Sequence, residues 1–598
     1  MLEPLSGTFS RANKILRTQL NNRPWLVLGI FGAMAFGLFT VYSIQRYLAF
    51  QTNFFDLGLD ANSIWRTLNG YDSWPSLIFP STPGHINHIS PILGLVAILY
   101  ALVPDPRTLL VIQAATVTFA AVPLYLIAWR ETHDQLLSLI ISGLFLANPA
   151  LHGVIRFDFH PESFIPLFVF LIYFSYPRRT PALFYLSLTL LFATIEYSAI
   201  LGLGIGVSFW IAERRMDNRI LVTLLGSLTL STIIILSTIG GVFHLWNWPA
   251  NWLAVQFLGT SSSSAVSYAQ AATGFWSHPE ILLGSIQNNF LAKITFLGVA
   301  TAPMWFSLAK YAVRIIPAVP WIAVVIVTSR YSYSNVNFQY SVFLIPFVYL
   351  AAVPFLRGIM KERKLVIGLI LSALSITLLY SALSPTYPQW PAASPLSPTV
   401  ESIDRALPQN ATVLTESDLF PQLSNRPFVT LNESSPVPPQ YILVNIDSSW
   451  YDWTNPAQGY PLSPREQVQR LTTAYPYELI LIDQGLRLYR FGGAAQISLD
   501  SRHISQQTEE LLPKMALFGL LSIGLIGLGV REAEYFLYEH SSTDRSYKGK
   551  TRYGSVLAEL KERMTPCRVD RRLAFKEGDI RTRGRDRSRP PAYALGTK

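Results

Sequence analysis

The chain has 598 residues, of which 50% are hydrophobic, 13% aromatic and only 14% charged. A soluble chain averages about 25% charged residues, so composition excludes an ordinary soluble globular protein. The net charge of +10 does not call for nucleic acid, because much of it falls in short loops and a terminal tail, where basic residues set membrane topology.

Residues 1–24 carry Arg11, Lys14, Arg17 and Arg23 ahead of an apolar run, Trp25 to Ile44. That run is long and lacks a small-residue cleavage site, so it reads as a retained first span rather than a cleaved signal. Further apolar runs follow, each about long enough to cross a bilayer as a helix. They are continuous rather than alternating, which argues against a barrel. Spans are expected at 25–44, 107–129, 135–150, 163–177, 181–195, 197–212, 219–241, 290–309, 315–329, 340–356, 364–382 and 513–530. With the N-terminus inside, Arg130, Arg178, Arg179, Arg214, Arg215, Arg219, Lys310, Arg314, Arg357, Lys361, Arg363 and Lys364 all fall in inner loops. The run Ile89 to Val103 is short and contains Pro91. A full crossing there would turn every basic loop outward, so it reads as a re-entrant or interfacial helix tucked among other helices.

The fold class is therefore an all-α polytopic membrane protein with about twelve transmembrane helices and one re-entrant helix. It sits in the plasma (cytoplasmic) membrane with both termini cytoplasmic. The transmembrane domain covers 25–383, with outer loops 45–106, 151–162, 242–289 and 330–340. Residues 384–512 form a small extracytoplasmic α/β domain behind a proline-rich linker (Pro385, Pro388, Pro391, Pro395, Pro398). Its strands are expected at Thr412–Thr415, Tyr441–Asp447, Glu478–Asp483 and Arg487–Phe491, with a helix over 464–474 and a turn at Gln484-Gly485. It has no phosphate-binding glycine loop and reads as a lid or recognition module. A final span, 513–530, leads to a basic tail, 531–598, facing anionic lipid. The single cysteine, Cys567, excludes an internal disulfide framework.

Ionisable residues beside hydrocarbon are costly and mark functional sites. Asp56 and Asp60 open the first outer loop four residues apart, the spacing of one helix face. His85 and His88 close it. The second outer loop holds Asp158, His160 and Glu162, which alternation along an extended chain would point the same way. Three such ligands suit a divalent cation such as Mg, Mn or Ca, with the histidine tilting the choice toward Mn or Zn. Glu196 falls at an outward hairpin tip, and the turn 330–340 offers Arg330, Gln339 and Tyr340. Arginine suits a lipid-linked phosphate, and aromatic and amide groups suit a sugar. The plainer alternatives are helix caps, a hydrated turn around Pro161 and an interfacial aromatic belt.

Phe55-Asp-Leu-Gly58 with Trp65, His88-Ile-Ser-Pro91, Phe159-His-Pro-Glu162, Thr194-Ile-Glu-Tyr197 and Phe338-Gln-Tyr-Ser341 before Pro346 occur in order. This series resembles the FDLG…W, HFSP, FHPE, KED and HYS elements of a family of uncharacterised prokaryotic membrane proteins. The family is grouped with the GT-C superfamily of polyprenyl-phosphate-sugar-dependent glycosyltransferases. The chain departs from it at Ile195, Tyr197 and Gln339, where lysine, a second acid and histidine are usual. The resemblance implies a GT-C-like fold, a catalytic acid at Asp56, a second acidic motif at Asp158 and a polyprenyl-phosphate-linked sugar donor, with the acceptor open. A transporter or flippase for a lipid-linked or hydrophobic substrate, or a non-catalytic scaffold, are the rival expectations. No internal repeat of the kind transporters carry is apparent.

Overall fold

Among the described residues of the computed structural model, five helices are long and apolar enough to cross a membrane: Pro24–Leu48, Pro106–Thr132, Asn218–Leu236, Phe290–Ser307 and Arg363–Ser381. The model describes residues 24–78, 88–178, 180–239, 279–308, 311–328, 331–383, 390–431, 437–448 and 463–497, all within one unit, residues 1–540. Gln135–Leu146 and Pro149–Arg156 form a sixth candidate span, bent by 46°. The bend follows from chemistry at the break: Asn148 caps the second helix through the Ala150 N–H, and Pro149 stands at its first position. Shorter apolar helices run over Pro161–Ser175, Pro181–Phe192, Ser198–Glu213, Ile316–Val327 and Ile345–Ile359. These elements coincide with every span expected before residue 383, although several are shorter than a full crossing. The expected span 513–530, the basic tail and loop residues 242–278 lie outside the described residues.

Helices 363–383 and 218–239 leave Leu371, Leu378, Leu379, Leu225, Leu228 and Leu236 exposed, as lipid-facing surfaces do. Helix Ile92–Tyr100 has only 9 residues, about 14 Å, too short to cross. Its length fits the re-entrant or interfacial reading.

The basic residues gather at one end. Arg130 donates to the Phe174 carbonyl (2.9 Å). Arg314 pairs with Glu131 (3.0 Å) and donates to the Leu350 carbonyl (2.7 Å). Arg219 pairs with Asp217 (2.8 Å) and lies over the Tyr176 ring. Helix Ile165–Ser175 joins this end to the opposite one: Phe174 stands in its last turn, and Glu162 lies just before its first.

The C-terminal part is a five-stranded mixed sheet of order β2-β1-β3-β5-β4, with β1 Val413–Thr415, β2 Val429–Thr430, β3 Tyr441–Asn445, β4 Tyr477–Asp483 and β5 Leu486–Phe491. β1 runs parallel to β2 and β3, whereas β5 is antiparallel to β3 and β4. A capping box of Ser463 and Glu466 starts helix Pro464–Ala474. The last stretch of the expected linker is helical instead, over Ser397–Ala406. The unit does not hang on its linker. Phe50, from the first outer loop, is part of its core with Val400, Ile403 and Leu423. Tyr100 donates to Asn425 (2.6 Å), and Ser394 N–H to the Leu48 carbonyl (2.9 Å).

Candidate active site

The loop after the first helix starts with a sharp turn at Phe50, whose φ of 54° lies in the left-handed region. Asn53 is extended, and Phe54–Gly58 then make one wide helical turn that runs straight into helix Leu59–Leu68. Asp56 and Asp60 therefore share one helical path, as their spacing requires. Asn53 ties this turn to the second loop. Its backbone N–H donates to Asp158 Oδ2 (2.7 Å), and its side-chain amide reaches both Asp158 Oδ2 (3.0 Å) and Asp56 Oδ2 (3.1 Å). Arg46, at the end of the first helix, pairs with Asp158 Oδ1 (3.1 Å). Burial pushes Asp158 up to about 6, with Arg46 opposing. Gln113, inside the second long helix, donates to the Val154 (2.7 Å) and Asp158 (3.2 Å) carbonyls and accepts the His160 N–H (2.9 Å).

His160 faces Asp56 Oδ1 with Nε2 (3.0 Å), and its Nδ1 lies 2.9 Å from the Asp158 carbonyl. A carbonyl can only accept, so Nδ1 donates; a second donor at Nε2 makes the ring an imidazolium. Burial disfavours that charge, but the Asp56 carboxylate outweighs it and holds His160 up at about 10. Burial likewise pushes Asp56 up, and His160 and Asn53 outweigh it, leaving Asp56 below its ordinary value. The two form an ion pair at neutral pH. A second such pair stands beside it. His88 Nδ1 meets Glu196 Oε1 (2.7 Å), and the Ile89 N–H donates to Oε2 (3.1 Å). Burial opposes the His88 charge, yet Glu196 raises it to about 9.

Two acids are treated differently. Asp60 and Glu162 are buried, at 9% and 3% exposure, and neither accepts a hydrogen bond from a described residue. Burial raises Asp60 to about 7; His160 opposes this, and the charges of Asp56 and Glu162 reinforce it.

The three second-loop residues Asp158, His160 and Glu162 do not converge as three ligands on one face. Pro161–Phe164 is a short 3-10 helix, so Asp158, His160 and Glu162 do not alternate along an extended chain. Asp158 is spent on Arg46 and Asn53, and His160 on Asp56. Among the described residues no three His, Cys, Asp or Glu side chains are placed to share a metal ion. Gln339 is buried with its Oε1 unpartnered among the described residues. Tyr340 stacks on Trp321 (5.3 Å between centroids) and meets Tyr333 edge-on (4.5 Å). Tyr197 lies within electrostatic range of Tyr333 and Tyr340 on one side and Glu196 and Glu162 on the other. His85 and Arg330 lie outside the described residues.

The sequence reading missed Arg46, Asn53 and Gln113. Arg46 and Gln113 did carry a signal, as polar residues at or inside apolar runs. It also missed the wall over the Asp56 turn. Ser417 Oγ accepts the Phe54 N–H (3.3 Å), and Phe420 meets the Phe54 ring edge-on (4.6 Å). A Cβ at residue 58 would stand 2.8 Å from Phe420, so only glycine fits there. Asn62 donates to the Ser424 (2.6 Å) and Arg426 (2.8 Å) carbonyls.

Comparisons with known proteins follow this geometry. Similar solved structures include the archaeal oligosaccharyltransferase AglB from Archaeoglobus fulgidus in complex with an inhibitory peptide and a dolichol-phosphate. It is 11% identical over 82% of this chain and 75% of that one, with a TM-score of 0.39. Another is ArnT from Cupriavidus metallidurans in the apo state, 12% identical over 73% of this chain and 93% of that one, with a TM-score of 0.30. At these scores neither likeness bears on fold or chemistry. No curated protein matches the sequence. A family profile matches residues 46–478, which span both acid motifs and strands β1 to β3, and the chain belongs to that family, described as "Predicted membrane protein (DUF2079)".

Proposed function

We propose that this membrane protein is a glycosyltransferase that moves a sugar from a polyprenyl-phosphate carrier to an acceptor on the extracytoplasmic side. The observation that carries the reading is a buried carboxyl poised near neutrality, Asp60, set beside two imidazolium–carboxylate pairs at the ends of apolar helices. In this reaction the acceptor hydroxyl oxygen attacks the anomeric carbon and its proton passes to Asp60. The bond from that carbon to the phosphate oxygen breaks, and the polyprenyl phosphate leaves. A general base works best with a pKa near the working pH, which suits Asp60 better than the strongly paired Asp56. Asp56 then acts through its field, holding His160 charged. His88 is a cation at the site for the departing phosphate, with His85 and Arg330 as further phosphate partners. No step needs the metal ion that the second loop suggested.

The test is glycan and glycolipid profiling of cells carrying the wild type, a deletion, Asp56→Asn or Asp60→Asn at matched protein levels. A product lost in the deletion and in both variants supports the reading. A product lost in the deletion but kept in both variants overturns it and favours a transporter or scaffold.

A further inference from the structure

Three of the five carboxylates at the site are saturated: Asp158 by Arg46 and Asn53, Asp56 by His160 and Asn53, Glu196 by His88 and the Ile89 N–H. The proposed reaction uses Asp60. Glu162 has no role in it and no donor among the described residues, although it is 97% buried by its 3% exposure. A buried acceptor without a donor is costly, and more so when charged, so one that keeps accessible surface is a candidate for completion by a ligand. The orphan acceptors sealed inside the protein include Gln339 Oε1, Glu416 Oε2 and Asp418 Oδ1, whereas the Glu162 oxygens are not among them. They keep some accessible surface. The position is central: the Glu162 charge acts on His88, His160 and Asp60 alike. The short helix Pro161–Phe164, anchored by the His160 N–H on Gln113, fixes the side chain there.

We infer that Glu162 is the sugar-reading residue, its two oxygens accepting hydrogen bonds from neighbouring ring hydroxyls of the transferred sugar. The inference rests on the glycosyl-transfer reading and adds a specificity residue to it. A carboxylate with both oxygens unspent matches a vicinal diol in the way that it matches other paired donors.

The test uses the full chain in detergent and four probes: polyprenyl phosphate and its glucosyl, mannosyl and galactosyl esters. Hydrogen bonds to a charged group are worth about 1.5–3 kcal/mol, or roughly tenfold to a hundredfold in affinity. The wild type should bind at least one sugar ester about tenfold or more tighter than the bare lipid phosphate. Glu162→Gln should abolish that difference, leave binding of the bare lipid unchanged, and raise the thermal midpoint of the ligand-free protein, because a buried unpaired charge is removed. Glu162→Asp, which withdraws the carboxylate by one methylene, should also lose the sugar preference. A preference that survives Glu162→Gln overturns the inference, as does a lowered midpoint with the preference intact. A preference that needs Mg or Mn and disappears with chelator overturns it in favour of a cation at Glu162. Wild-type protein that binds all four lipids equally overturns the inference alone. Protein that binds none overturns the donor reading with it.

Discussion

The two ends of the helical bundle handle buried charge in opposite ways. At the basic end the half-buried arginines are answered: Arg130 by a main-chain carbonyl, Arg314 by Glu131 and a carbonyl, Arg219 by Asp217 and the Tyr176 ring. Arg130 and Arg314 stand in the last turns of their helices, where cations are favoured, whereas Arg219 opens helix Asn218–Ile239 and is offset there by Asp217. At the acidic end the same accounting stops short. Arg46, His160 and His88 answer three carboxylates, while Asp60 and Glu162 stay buried without donors among the described residues. A structural end can be complete in itself; a site keeps groups in reserve for its ligand. The difference separates charge that orients the chain from charge that does chemistry.

The largest effect should come from cutting the strut between the two acid-bearing loops. Arg46→Met leaves Asp158 buried without its cation. Removing one partner of a buried pair costs about 3–5 kcal/mol, so thermal unfolding should shift down sharply and Arg46→Lys should recover only part. A silent Arg46→Met would mean that the acidic end tolerates unpaired charge generally, and the contrast with the basic end would fail. Next is Asp60→Asn, which should cut transfer by about a hundredfold or more, as loss of a general base does, while the unfolding midpoint at neutral pH holds or rises, because a buried carboxyl without a donor is replaced by a neutral group. Its sign with pH is set by its direction. A base must be unprotonated, so wild-type transfer should climb as pH rises toward about 7 and level off above it. It should fall again as His88 loses its proton near 9. Folding stability moves the other way. Asp60 holds its proton more tightly folded than unfolded, so its contribution is present below about 4 and declines as pH rises to about 7.

The contrast between the ends was partly legible in the sequence. Long apolar runs with arginines in alternate loops located the helices and the basic end, because hydrophobic length and loop charge are properties of contiguous residues. The acids of the outer loops stood out for the same reason. Their division of labour did not. The Asp158 partners Arg46 and Gln113 lie 112 and 45 residues away in sequence, measured along their hydrogen bonds. Alternation suggested that Asp158, His160 and Glu162 share a face. Pro161 starts a 3-10 turn instead, and hydrogen bonds from distant segments turn Asp158 and His160 aside. The α/β unit shows the same limit. Its main strands were readable as apolar runs between turns. Its docking on the Asp56 turn depends on the Phe54–Phe420 contact across 366 positions in sequence, which no local pattern encodes.

That docking gives the third test. Gly58→Ala places a methyl against Phe420 and should cost about 1–3 kcal/mol by overpacking. If the docked segment is a fixed wall, transfer should fall with stability, and the double variant Gly58→Ala with Phe420→Leu should restore part of both. If it is a swinging lid, Gly58→Ala should alter transfer while leaving the unfolding midpoint unchanged.

The smallest effect belongs to the basic end. Arg314 pairs with Glu131 at about one-seventh exposure on either side, and its other arm already rests on the Leu350 carbonyl. Partly exposed pairs are worth about 0–1 kcal/mol, and a neighbouring cation, Arg130, remains 3.9 Å from Glu131 when Arg314 is lost. Arg314→Gln should therefore lower the unfolding midpoint only slightly and leave the glycan profile as in the wild type. A large loss of product without loss of protein would place chemistry at the basic end and dissolve the division between the two. A measurable loss of stability alone would sharpen it, because the buried carboxyls left without donors at the acidic end have no counterpart among the half-buried arginines Arg130, Arg219 and Arg314.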